Sequence, residues 1–127
     1  MKLMFSGRVE RGEGMATRLG CPTANIAIKE GLLIPGFGVY VGETDLQGVR
    51  YPTLICISGG HTGSNLKMEV HLLGFNQDLT GKYLQVLIHE KLRDIIPFPG
   101  EEEMARIIQN DLFQAQEWFK HTSVSES

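Results

Sequence analysis

The sequence lacks the features that mark several large functional classes. It has two cysteines, Cys21 and Cys56, with no short spacing between them. That excludes a disulfide framework and a cysteine-rich metal site, and reads as two reduced, partly buried thiols. Basic residues are not in excess: twelve Lys and Arg stand against fifteen Asp and Glu, a formal charge of −3. A broad nucleic-acid surface needs a basic face, so this balance argues against one. A single bound nucleotide is not excluded, because magnesium can carry the positive charge locally. No long apolar run occupies residues 1–10, so neither a signal peptide nor a membrane span is expected there, and the default location is cytoplasmic. No G-K-[ST] closes a Walker A loop.

Glycine is plentiful, with 15 of 127 residues falling mostly between short apolar runs. This is the punctuation of a protein with many strands and tight turns. Strands are expected over 3–9, 24–28, 37–44, 51–57, 67–74 and 82–89. The stretch Asp45-Leu46-Gln47-Gly48 reads as a hairpin turn and residues 76–81 as a second loop. The period changes near the end of the chain. Met104, Ile107, Ile108, Leu112, Ala115 and Phe119 form one apolar stripe, which predicts a helix over 101–119. Glu101, Glu102 and Glu103 complement its N-terminal dipole. Five or six strands and one helix predict a small barrel with the helix packed on it. The whole of 1–120 is expected to be one domain, and residues 121–127 a disordered polar tail.

The most informative segment is GRVERGEGMATRLGCPTAN, residues 7–25. Gly12 and Gly14 would let backbone approach a phosphate. Pro22 fixes one backbone angle. Thr23 and Asn25 alternate along an extended segment, so they share a face and offer two hard oxygen ligands suited to magnesium beside ATP phosphates. On physical grounds alone, a plain surface loop competes with this reading. In strand 67–73, Met68, Val70 and Leu72 share one face, and Lys67, Glu69, His71 and Leu73 share the other. Glu69 is therefore either a solvated carboxylate or a group with a chemical role.

The run from Gly7 to Asn25 resembles the opening of the riboflavin kinase family: a glycine-rich loop, then Leu19-Gly20, then Pro22-Thr23-Ala24-Asn25. Leu33, Pro35, Gly38, Val39 and Tyr40 are similar to a second family segment, and Met68-Glu69-Val70-His71 to a third. Asp78-Leu79 with Gly81, Leu92-Arg93 with Phe98, and the helix with Asp111 continue the likeness in order, over about residues 5–119. The resemblance implies a six-stranded antiparallel Greek-key barrel with a C-terminal helix. It implies transfer of the γ-phosphoryl group of ATP to riboflavin, giving FMN and ADP. Thr23 and Asn25 would bind magnesium and phosphate, with Gly12 and Arg18 on the nucleotide. Glu69 would be the catalytic base. Arg93, Phe98 and Met104, at the start of the helix, would border the flavin.

The sequence departs from the family pattern at Met15, Ala16, His61, Thr80, Ile95 and Pro97. Ile95 and Pro97 touch the flavin side and leave Thr23, Asn25 and Glu69 intact. The competing reading is a flavin- or nucleotide-binding module on the same barrel, either non-catalytic or of altered specificity. A single-strand nucleic-acid barrel would need a basic groove with aromatics. The chain is expected to act as a monomer without nucleic-acid or membrane partners. No adenylyltransferase domain, which many bacterial relatives carry, is seen within these residues, so they are expected to make no FAD.

Overall fold

The computed structural model describes residues 3–10, 24–26, 36–59, 67–75 and 77–126. Six strands, β1 (Leu3–Glu10), β2 (Ala24–Ile26), β3 (Gly38–Leu46), β4 (Val49–Ser58), β5 (Lys67–Leu72) and β6 (Tyr83–Arg93), precede one helix, α1 (Glu101–Glu126). The strands close into a barrel in the order β1-β2-β5-β4-β3-β6, and every pairing is antiparallel. Strands β3, β4 and β5 follow one another across the sheet, and β6 returns to lie beside β3. That is the Greek-key arrangement.

Alternation along the strands builds the interior. On β5, Met68, Val70 and Leu72 are buried, while Lys67, Glu69 and His71 are half-buried on the outer face. Two polar residues, Thr44 and Thr53, are fully buried in the sheet, and their hydroxyl oxygens lie 2.7 Å apart. Thr53 also donates to the Tyr51 carbonyl at 2.9 Å, so the pair carries its polar atoms without an unmet bond.

The β3–β4 turn is tighter than the sequence suggested. Leu46 pairs with Val49 and is buried, leaving Gln47 and Gly48 as the turn. Both have positive φ, 53° and 86°, the left-handed conformations of a two-residue hairpin turn that match strand twist. The Asp45 carboxylate accepts the Gly48 N–H at 3.0 Å. Leu46, within the turn-like stretch Asp45–Gly48 of the sequence, is a strand residue because its side chain is buried in the core.

The helix starts directly after Pro99-Gly100, with the Met104 N–H donating to the Gly100 carbonyl at 2.9 Å. Its buried stripe lies on the outer face of β3 and β4, where Val39, Val41 and Leu54 meet Leu112, Ala115 and Trp118. The Trp118 ring sits 4.9 Å from the His89 ring and its N–H donates to Glu90 at 2.8 Å. The helical backbone continues to Glu126, past the end of the apolar stripe and through most of the stretch read as a tail. Among the described residues, no helix is long and apolar enough to cross a membrane.

Strand β6 does not pair evenly. Ile88 faces Gly42, Glu90 faces Val41, Lys91 faces Tyr40 and Arg93 faces Val39. One extra residue is thus absorbed at His89 and another at Leu92, as β-bulges. Without them Lys91 would stand opposite Val39. The bulges bring Arg93 there instead, and so decide which side chain reaches the helix.

Candidate active site

Backbone pairing connects distant parts of the sequence into one row around the outside of the barrel. Asn25 on β2 stands opposite Glu69 on β5, and Glu69 opposite Cys56 on β4. Cys56 stands opposite Val39 on β3, and Val39 opposite Arg93 on β6. Asn25, Glu69, Cys56 and Arg93 are all half-buried, while Val39 is covered by the helix.

At one end of the row an amide and a carboxylate face each other. Directly opposed residues hold their Cβ atoms about 5 Å apart, close enough for both side chains to reach one ligand atom. Lys67, two residues before Glu69 on the same face, brings its ammonium within 3.7 Å of the carboxylate. The Glu69 side chain keeps about a fifth of its surface open to solvent. A carboxylate so placed can accept a proton from a ligand hydroxyl, or an amide oxygen and carboxylate together can contact a hard cation. Among the described residues, no three His, Cys, Asp or Glu side chains gather as a metal cage. These oxygen donors instead suit an ion that arrives with most of its ligands, as magnesium does on nucleotide phosphates.

Cys56 is the neutral member of the row. Burial, and then the negative charge of Glu69, push its thiol up to about 11. It is therefore a protonated wall beside Glu69 at neutral pH, and no nucleophile.

At the other end, Arg93 grips Asp111 of α1. Nε donates to Oδ1 at 2.9 Å and to Oδ2 at 3.2 Å, and Nη2 donates to Oδ2 at 2.7 Å. Nη1 donates to the Asp94 carbonyl at 3.1 Å. The hydrogen bonds to Asp111 hold the guanidinium charged, with its pKa raised. Beyond Arg93, residues 94–100 link β6 to the helix and expose Ile95, Ile96 and Phe98; Phe98 is 54% exposed. Met104 is half-buried in the first turn of α1.

The structure thus brings Asn25 and Glu69 together and places Arg93, Phe98 and Met104 around the β6–α1 link. Gly12, Arg18 and Thr23 lie outside the described residues. Two residues without an assigned role emerge beside the site: Cys56 and Asp111. Asp111 had a signal in the sequence. It occupies a position on the buried stripe, between Ile108 and Leu112, where a carboxylate needs a partner. Cys56 had none, since only the pairing of β4 with β5 sets it beside Glu69.

The described residues form a closed Greek-key barrel with a helix over one wall and an amide–carboxylate pair on the outer face of β2 and β5. The chain belongs to the riboflavin kinase family, whose Flavokinase model matches residues 1–119. A bifunctional riboflavin kinase/FMN adenylyltransferase of Mycoplasma pneumoniae is 36% identical over 117 residues, covering 92% of this chain and 43% of that protein. The Escherichia coli K12 protein of the same description is 33% identical over 125 residues, covering 91% of this chain and 37% of its own length. The chain therefore spans about two fifths of the curated relatives it matches. Among solved structures, one described as a macrolide-efflux protein from Streptococcus pneumoniae superposes with a TM-score of 0.83 at 25% identity, over 91% of this chain and 39% of that one. A Trypanosoma brucei riboflavin kinase superposes with a TM-score of 0.71 at 22% identity, over 98% of this chain and 84% of that one, a likeness of fold.

Proposed function

We propose that this chain is an ATP-dependent riboflavin kinase. It transfers the γ-phosphoryl group of ATP to the 5′-hydroxyl of riboflavin, releasing ADP and FMN. The observation that carries the reading is the opposition of Asn25 and Glu69 on paired strands, within a family member whose Pro22-Thr23-Ala24-Asn25 segment runs directly into β2.

Glu69 orients the ribityl hydroxyl and accepts its proton as the oxygen bonds to the γ-phosphorus and the bond to the β–γ bridging oxygen breaks. Asn25, with Thr23, would hold the nucleotide's phosphates and their magnesium, which when bound would supply positive charge to the phosphoryl oxygens. Gly12 and Arg18 serve the nucleotide. Arg93, Phe98 and Met104 border the flavin ring. The distance along the row favours this division. Three interstrand steps separate Glu69 from Arg93, roughly 14 Å along the sheet, a separation that supports a role for Arg93 at the ring rather than at the reacting hydroxyl. Asn25, Glu69 and Arg93 all come from one barrel, which supports action as a monomer, and the ATP requirement suits a cytoplasmic location.

Incubation with riboflavin, ATP and magnesium should give FMN, separable from riboflavin by chromatography. Flavin binding without FMN would refute the kinase and leave a binding module on the same barrel.

A further inference from the structure

Asp111 is a buried carboxylate, with its side chain 4% exposed, on a helix stripe otherwise built from apolar residues. Burying a charge there is costly, and a well-packed apolar residue would stabilise the helix contact as well or better. Stability alone therefore does not account for it. Asp111 takes both Nε and Nη2 of Arg93 in a planar fork, and this fixes the guanidinium in one orientation. Three of the five guanidinium donors are engaged, counting the bond from Nη1 to the Asp94 carbonyl. One N–H on each terminal nitrogen remains for a ligand.

The fork also clamps a loop. Arg93 ends β6, and Asp111 lies about three turns inside α1. Their contact ties the two ends of the segment carrying Ile95, Ile96, Phe98 and Met104. One carboxylate thus sets the direction of the spare Arg93 donors and ties down the link that carries the exposed apolar side chains. Donors and apolar side chains on one link match a flat aromatic ring with carbonyl oxygens at its edge.

We infer that Asp111 is a positioning residue for the acceptor: it aims Arg93 and anchors the 94–100 link so that together they hold the flavin's ring system. The inference rests on the assignment of the ring to this end of the row.

The test compares wild type with Asp111→Asn and, separately, Arg93→Lys, which keeps the charge but loses the fork. Riboflavin affinity is read by quenching of flavin fluorescence, and KM for riboflavin and for ATP by FMN formation. In each folded variant the riboflavin Kd and KM should rise about tenfold or more, kcat should fall less than about threefold, and KM for ATP should hold. The double variant should be no worse than the weaker single one, because both changes break one contact. Unchanged riboflavin affinity in a folded variant, or parallel losses for riboflavin and ATP, would overturn the inference. If Asp111→Asn does not fold, Arg93→Lys carries the same readouts. Absence of FMN from wild type would refute the kinase reading, while the binding titration would still decide the role of Asp111.

Discussion

Asn25 and Glu69 stand directly opposite each other on antiparallel strands, although 43 residues of chain separate them. The pairing sets the residue proposed to hold phosphate beside the carboxylate proposed as base. The two proposed roles are separable. Asn25 offers an uncharged oxygen, and Glu69 a proton acceptor.

Replacing Asn25 with Ala should weaken magnesium–ATP binding about tenfold, roughly 1.4 kcal/mol, as expected for losing one polar contact to a charged ligand. Riboflavin affinity should be unaffected. Titration of each ligand against the variant checks this, and unchanged nucleotide affinity would remove Asn25 from the site.

Cys56 supplies a prediction in alkali. Its thiol is raised from 9.0 to about 11 in the folded chain. The folded state therefore keeps its proton where the unfolded state loses it. The associated stability is fully present below about pH 9 and is lost as pH rises towards 11, amounting to about 2–3 kcal/mol. Urea midpoints of wild type should fall more steeply over this range than those of Cys56→Ala. Parallel slopes would show that burial does not hold the thiol neutral.

Gly42 tests the β6 bulges. A Cβ at this position would lie 2.0 Å from the Leu87 carbonyl oxygen and 3.0 Å from Ile55 Cδ1. The first neighbour is backbone and cannot swing away. Gly42→Ala should cost more than about 3 kcal/mol, from overpacking and a displaced β3–β6 register. An unchanged urea midpoint would mean that the two strands do not approach as closely as described.

Much of this fold was legible in the sequence because its signals are local. Alternation on β5 put Met68, Val70 and Leu72 inside and Glu69 outside, and the stripe from Met104 to Phe119 marked the helix. What local pattern could not supply was register. Nothing near His89 or Leu92 announces a bulge, yet the bulges put Arg93 rather than Lys91 opposite Val39. The resemblance implies that Arg93 borders the flavin, and much of its donor fork is engaged by Asp111, eighteen residues away, which no spacing rule would pair with it. The same holds for Cys56, whose neighbour Glu69 lies on the next strand. The glycine-rich segment with Gly12, Arg18 and Thr23 lies outside the described residues.

Glu69 is the group proposed to take the riboflavin proton. The most direct measurement is FMN formation by wild type and Glu69→Gln side by side, with riboflavin and ATP binding measured on both. A kcat lower by about 10²–10⁴-fold with both affinities retained is the expected result. Undiminished turnover in the glutamine variant would contradict it.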